Sequence, residues 1–279
     1  MNRWLGAASW LSFTAIMYLI LVEAVSTWVR LPGLGNIGFT LVFVLFALIH
    51  CTALEGLSRT AQFFVISAVV AYLMEEIGVR TGRIYGAYHY SDLLGVKLGH
   101  VPVIIPLAWF MMIYPSWMVA KALLSGMNTN SIPGVTAQAV IAAWVMTAWD
   151  VVMDPGMAAE GNWVWEQGGA YFGVPRRNYL GWLATTFLVY WIVGWLSRGA
   201  RRRTTLAKTP QTTTMLTRTF PMLPVIVYSF FAVRYLTPNR LPALQLIAVF
   251  SMGMPALLAL IRLCLGKSHE AEQLQWPRA

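Results

Sequence analysis

Residues 37–54 read IGFTLVFVLFALIHCTAL, an apolar run without one charged residue. Its length is close to the roughly 20 residues a helix needs to cross the hydrocarbon core of a bilayer. Working outward by the same measure gives further runs at 10–29, 61–77, 101–125, 135–153, 180–196, 220–236 and 241–264. The run 61–77 is short and ends in Glu75-Glu76, so seven spans with a re-entrant segment stand beside eight. Composition agrees with the runs. Of 279 residues, 58% are hydrophobic and 11% charged, against about 25% charged in a soluble domain. So few charges cannot cover a water-facing surface, and 13% aromatics exclude a disordered chain. The expected class is all-α: a polytopic integral-membrane helical bundle of about eight transmembrane helices, one membrane domain over 1–279.

The formal charge of +9 reads as topology, not as a nucleic-acid footprint. The basic residues fall between apolar blocks, and six lie between Arg198 and Arg218. With eight spans, twelve lie on the side of the two termini and eight on the other. The positive-inside rule then places both termini in the cytoplasm, in a multi-pass protein of the cell (inner) membrane. Segment 201–219 is the expected basic cytoplasmic linker before the last two helices. The N-terminal run has no clean cleavage site and reads as a retained first helix. Cys51 and Cys264 both lie in apolar blocks and provide neither a disulfide framework nor a metal-ligand spacing.

The few acids carry the functional information. Glu23, Glu55 and Asp150 fall inside predicted spans; Glu75, Glu76 and Asp154 fall at or near span ends. A carboxyl in hydrocarbon is expensive and therefore faces a bundle interior or cavity. Helices 1, 3 and 5 end on one side, which brings Glu23, Glu75, Glu76, Asp150 and Asp154 to one level. Asp150 and Asp154 are i, i+4, on one helix face about 6 Å apart along the axis. Carboxyls gathered in an apolar setting are suited to hold a proton, as a general acid must. Glu55 has a plainer reading, an i, i+4 ion pair with Arg59. Two connectors on the same side, 78–102 and 154–182, are rich in Gly, Tyr and Trp and read together as the roof of a site for a long apolar ligand.

Other motifs weigh less. Gly33-Leu34-Gly35-Asn36-Ile37-Gly38 fits GxGxxG but sits between two spans, without the strand–turn–helix setting of a dinucleotide site. His50, His89, His100 and His269 form no histidine box; His50 reads as a satisfied intramembrane polar group and His89 as a loop residue near the site. Asp150-x-x-x-Asp154 can hold Mg²⁺ and a diphosphate, the pattern of an intramembrane prenyltransferase, but only Glu75-Glu76 offers itself as a second acidic motif. A proton-coupled carrier is the non-catalytic alternative, though no paired halves are visible.

Two longer patterns resemble a known family. The first is Glu75-x-x-Gly78-x-x-Thr81-Gly82-x-x-Tyr85-Gly86-x-Tyr88-x-Tyr90, followed by Val101-Pro102 and Ala108-Trp109. The second is Ala148-Trp149-Asp150-x-x-x-Asp154-Pro155, then Gly161-x-Trp163-x-Trp165, Tyr171-Phe172-Gly173-x-Pro175 and Asn178-x-x-Gly181-Trp182. Together they resemble the CruF-type carotenoid hydratases, over roughly residues 40–200. Tyr85 departs from the Phe usual there, and Glu76 from a bulky apolar residue. The resemblance implies addition of water to the C1,C2 double bond of an acyclic (ψ) carotenoid end group, lycopene-like, giving a tertiary alcohol. It implies Asp150 or Asp154 as proton donor with the other polarising water, and Glu75 in the same network. Tyr85, Tyr88, Tyr90, Trp163, Trp165, Asn178 and Trp182 are the expected substrate-binding residues. No cofactor and no metal is called for by that chemistry. The expected partners are the carotenoid, water, the lipid bilayer and other carotenoid-pathway enzymes, with no nucleic acid.

Overall fold

The structure is a computed structural model and describes residues 3–26, 28–204, 219–237 and 242–273. Six long helices come first: α1 (Arg3–Val25), α2 (Gly35–Glu55), α3 (Leu57–Thr81), α4 (Ile104–Leu123), α5 (Ile132–Ala159) and α6 (Arg176–Thr204). A short helix α7 (Leu223–Arg234) follows a 3-10 turn at Phe220–Met222. The last rod is α8 (Pro242–Ala248) and α9 (Met254–Gln273), joined by one π-helical turn at Val249–Gly253. Among the described residues seven helices are long and apolar enough to cross a membrane: α1 to α6 and the rod Pro242–Leu265.

The expected span 220–236 is the exception in length. Helix α7 has 12 residues, about 18 Å, less than a bilayer core. It is buried through Leu223, Val225, Val227, Tyr228 and Phe231 against its neighbours. Its start meets the last turns of α2, where His50 Nε2 donates to the Phe220 carbonyl at 2.8 Å. Its end meets the last turn of α1, where Arg234 pairs with Glu23. Thus α7 runs parallel to α1 through the bundle, and the last rod returns: Arg262 donates to Ser125 beyond the end of α4.

Helix α4 is the axle. It is 72% buried, against 28% for α3 and for the last rod, as expected of a helix apolar on every face. It packs against α2, α3, α5, α7 and α9. Two ionisable groups away from the lid end of the bundle, His50 and Glu55, find partners. His50 Nε2–H faces a carbonyl, which leaves Nδ1 to accept from Tyr114 Oη at 2.7 Å. Glu55 pairs with Arg59 at 3.4 Å and with Lys121 at 3.0 Å. The glycine motif at 33–38 is the end of the α1–α2 connection and the first turn of α2.

Three expected boundaries shift. The run 101–125 begins not as helix but as β3 (Val101–Pro102), which pairs with β2 (Lys97–Leu98) in a small hairpin. Helix α1 starts earlier than residue 10, at Arg3. Helix α6 continues to Thr204, so helix takes the first residues of the expected linker 201–219; residues 205–218 of that linker lie outside the described residues.

Candidate active site

The Gly- and aromatic-rich connectors are not plain loops. Tyr88–Tyr90 forms β1 and Trp163–Trp165 forms β4, paired antiparallel with Tyr88 opposite Trp165 and Tyr90 opposite Trp163. Side chains alternate across a strand. The four aromatics therefore face inward together, while His89 and Val164 face out and are exposed. His89 contacts Glu166 at 2.6 Å on that outer surface, which places it away from the site. Tyr-x-Tyr and Trp-x-Trp carry this period of two, and the glycines around them mask it.

Beneath this two-stranded lid lies a cavity of about 940 Å³ including its open mouth. Its wall takes Glu23 from α1, Glu75 from α3, Asp150 and Asp154 from α5, Asn178 and Trp182 from α6 and Arg234 from α7. Tyr85, Tyr88, Tyr90, Trp163 and Trp165 complete the lid side, and Trp109 and Trp149 the floor. Every residue expected at the site is on this wall. Glu76 is not: consecutive residues point to different sides of a helix, and its carboxylate faces the β2–β3 hairpin. There it accepts from the His100 backbone N–H at 2.9 Å and pairs with Arg80 at 2.8 Å. Of the five acids expected at one level, four line the cavity and Glu76 ties down a loop instead.

The carboxyls are held differently. Glu75 accepts from three donors: Tyr88 Oη, Tyr90 Oη at 2.9 Å and Trp109 Nε1 at 3.1 Å. Asp154 has both oxygens engaged, Oδ1 by Trp163 Nε1 at 2.6 Å and Oδ2 by Asn178 Nδ2 at 2.6 Å. Asp150 shares the same amide, Asn178 Nδ2 reaching its Oδ2 at 3.0 Å, but its Oδ1 is buried without a protein partner. The i, i+4 spacing thus puts two aspartates on one asparagine. Helix α5 tolerates Pro155 beside them because the carbonyl that its missing N–H would have bonded, that of Val151, accepts from Tyr171 Oη at 3.0 Å. In the lid, burial first and the neighbouring Glu75 next push the Tyr88 and Tyr90 phenols well above their ordinary range, so both stay hydrogen-bond donors.

Aromatic faces surround the acids. Trp109 and Trp182 stack at 4.0 Å, and Trp149 meets Trp182 edge-on at 6.0 Å. Tyr85 is clamped as well as lining: a Cβ on Gly78 would lie 2.7 Å from its ring, and one on Gly181 would lie 2.6 Å away. The hydroxyl that distinguishes it from the usual Phe meets Thr185 at 2.9 Å. Gly181→Ala also drives its Cβ to 2.7 Å from the Ile84 carbonyl. Overpacking of this kind costs about 1–3 kcal/mol; the expected result is a lower melting temperature in detergent, with Gly33→Ala, whose Cβ would meet Val22 at an ordinary 3.5 Å, as the milder comparison. Sequence reasoning assigned no role to Trp109, Trp149 or Arg234. Trp109 and Trp149 were visible inside the two signatures, whereas nothing in the sequence marks Arg234.

Fold and site together define an integral-membrane protein with a carboxyl-lined aromatic cavity at one end of its bundle. The family is specific: residues 35–259 match the model of the carotenoid biosynthesis protein family, and the chain belongs to it. A curated relative is the bisanhydrobacterioruberin hydratase of Haloarcula japonica, 30% identical over 203 residues, 68% of this chain and 68% of that protein. No solved structure matches the chain.

Proposed function

We propose that this protein is a carotenoid hydratase, a hydro-lyase that adds water to the C1,C2 double bond of an acyclic carotenoid end group. The observation that carries the reading is the unequal hydrogen bonding of the three buried carboxyls around one cavity. An isolated alkene is a weak base, and its protonation needs a positioned acid away from bulk water. Asp150, with Oδ1 free of protein partners, is the proton donor. The proton goes to C2, the π pair forms the new C–H bond, and the charge develops at tertiary C1. The oxygen of a water bonds to C1, and one of that water's protons returns to the Asp150 carboxylate. The site ends as it began, and no oxidant or reductant enters the balance.

Glu75 and Asp154 suit a second task. Their oxygens are met by N–H and O–H donors, an arrangement complementary to carboxylates. Together with the faces of Trp109, Trp182 and Tyr88 they offer counter-charge and π density to a cation. Three of the four oxygens of Asp150 and Asp154 already accept from N–H donors, which leaves the pair ill-suited to chelate the Mg²⁺ through which a prenyltransferase holds its diphosphate and weighs against that reading. A carotenoid is about as long as the hydrocarbon core is thick, so its end reaches a cavity at one end of the bundle. The charge distribution supports a cell-membrane protein with cytoplasmic termini and an outward-facing lid. Expression in a lycopene-accumulating host is expected to yield pigments heavier by one or two waters, read by mass spectrometry. An unchanged pigment profile with the protein present in the membrane would overturn the proposal.

A further inference from the structure

Eight buried side-chain polar atoms among the described residues have no protein partner, and four of them belong to residues on the wall of this one cavity. They are Asp150 Oδ1, the indole nitrogens of Trp149 and Trp165, and Arg234 Nε. An unpartnered buried group is costly, so such a concentration marks a place where a ligand or water completes the bonding. The balance is three donors to one acceptor. A polyene hydrocarbon can satisfy none of them, whereas a water oxygen can accept from a donor while its hydrogen goes to the carboxyl.

The donors are not equivalent. The Arg234 guanidinium is already paired with Glu23 and lies over the rings of Phe231 and Tyr235. Trp165 sits in lid strand β4 and is half-buried. Trp149 is 3% exposed and lines the same cavity as Asp150. Its ring is fixed between Trp182, edge-on at 6.0 Å, and Phe231 at 6.2 Å. We infer that Trp149 is the positioning residue for the attacking water: its indole N–H donates to the water oxygen, and once Asp150 Oδ1 has given its proton to C2 the water donates to it. This rests on the hydratase reading and extends it. The same carboxyl gives a proton to C2 and takes one from the water, and Trp149 decides whether the cation formed between those events is captured.

Partitioning of that cation provides the test. In D₂O, a cation that fails to capture water loses a proton and returns as unhydrated carotenoid carrying deuterium. Membranes containing wild-type protein or Trp149→Phe would be supplied with lycopene, and deuterated alkene compared with hydrated product by mass spectrometry. Trp149→Phe keeps the ring and removes the N–H; the ratio of exchange to hydration is expected to rise about tenfold, with KM unchanged. Trp149→His, which retains a ring N–H, is expected to recover part of the wild-type ratio. An unchanged ratio with slower turnover would mean that Trp149 only packs, and loss of both exchange and hydration would make it a requirement for protonation; either overturns the inference. Wild-type protein giving neither reaction would sink the hydratase reading itself.

Discussion

Asp150→Asn is expected to lower hydration by about 10²–10⁴-fold, the contribution typical of a general acid, while the bundle stays folded. The substitution is isosteric. Its carbonyl oxygen still accepts from Asn178 Nδ2, and the group that replaces Oδ1 meets no protein donor, because Oδ1 has no partner. What is lost is an acidic proton beside the substrate. Asp154→Asn is a different experiment. Both oxygens of Asp154 accept from N–H groups, Trp163 on the lid and Asn178 on α6. An amide there must turn an NH₂ toward a donor, which costs one bond and leaves a buried indole or amide unpaired. Asp154→Asn is therefore expected to lower the melting temperature and loosen the lid as well as slow the reaction. Product formation per unit of membrane protein, measured beside thermal stability, separates the two. Full activity in both variants would remove the aspartates from the chemistry.

The sequence made the membrane class and the acid cluster legible for the same reason. Apolar runs near 20 residues admit few structures, and an acid inside one has few places to point. The i, i+4 spacing of Asp150 and Asp154 was enough to predict a shared partner face, and Asn178 occupies it. What the sequence left hidden depends on tertiary placement. Glu75 and Glu76 look alike in a string, yet one enters the cavity and the other binds His100 and Arg80, because a single helical step turns them apart. The lid strands are three residues each, too short to stand out as strands, and their pairing joins segments far apart in the chain. The short helix α7 carries an apolar run like any other span; only its ends at His50 and Glu23 show how far it reaches. Arg234 stands at such an end, and no local pattern links it to Glu23.

Glu75→Gln is the second large effect, and it tests the counter-charge rather than the acid. The side chain keeps its shape, and the tyrosine hydroxyls around it can turn from donating to accepting, so the fold is expected to survive. The negative charge does not. A charge placed for a developing cation in a dry cavity contributes about 10²–10³-fold in rate, and a loss of that size is expected for Glu75→Gln with little change in KM. Tyr88→Phe and Tyr90→Phe each remove one of the three donors to Glu75 and leave its charge in place. Each is expected to slow hydration by only about tenfold, the scale of one hydrogen bond to a charged group. Both phenols stay protonated well above their ordinary range. Neither phenol should therefore add a limb to the wild-type pH profile in the usual tyrosine range, and neither Phe variant should change the alkaline limb that is seen. Initial rates of hydrated-pigment formation across pH, compared for the three variants, test the arrangement. If Glu75→Gln were no worse than the Phe variants, Glu75 would be an anchor for the lid, and the counter-charge would fall to Asp154 alone.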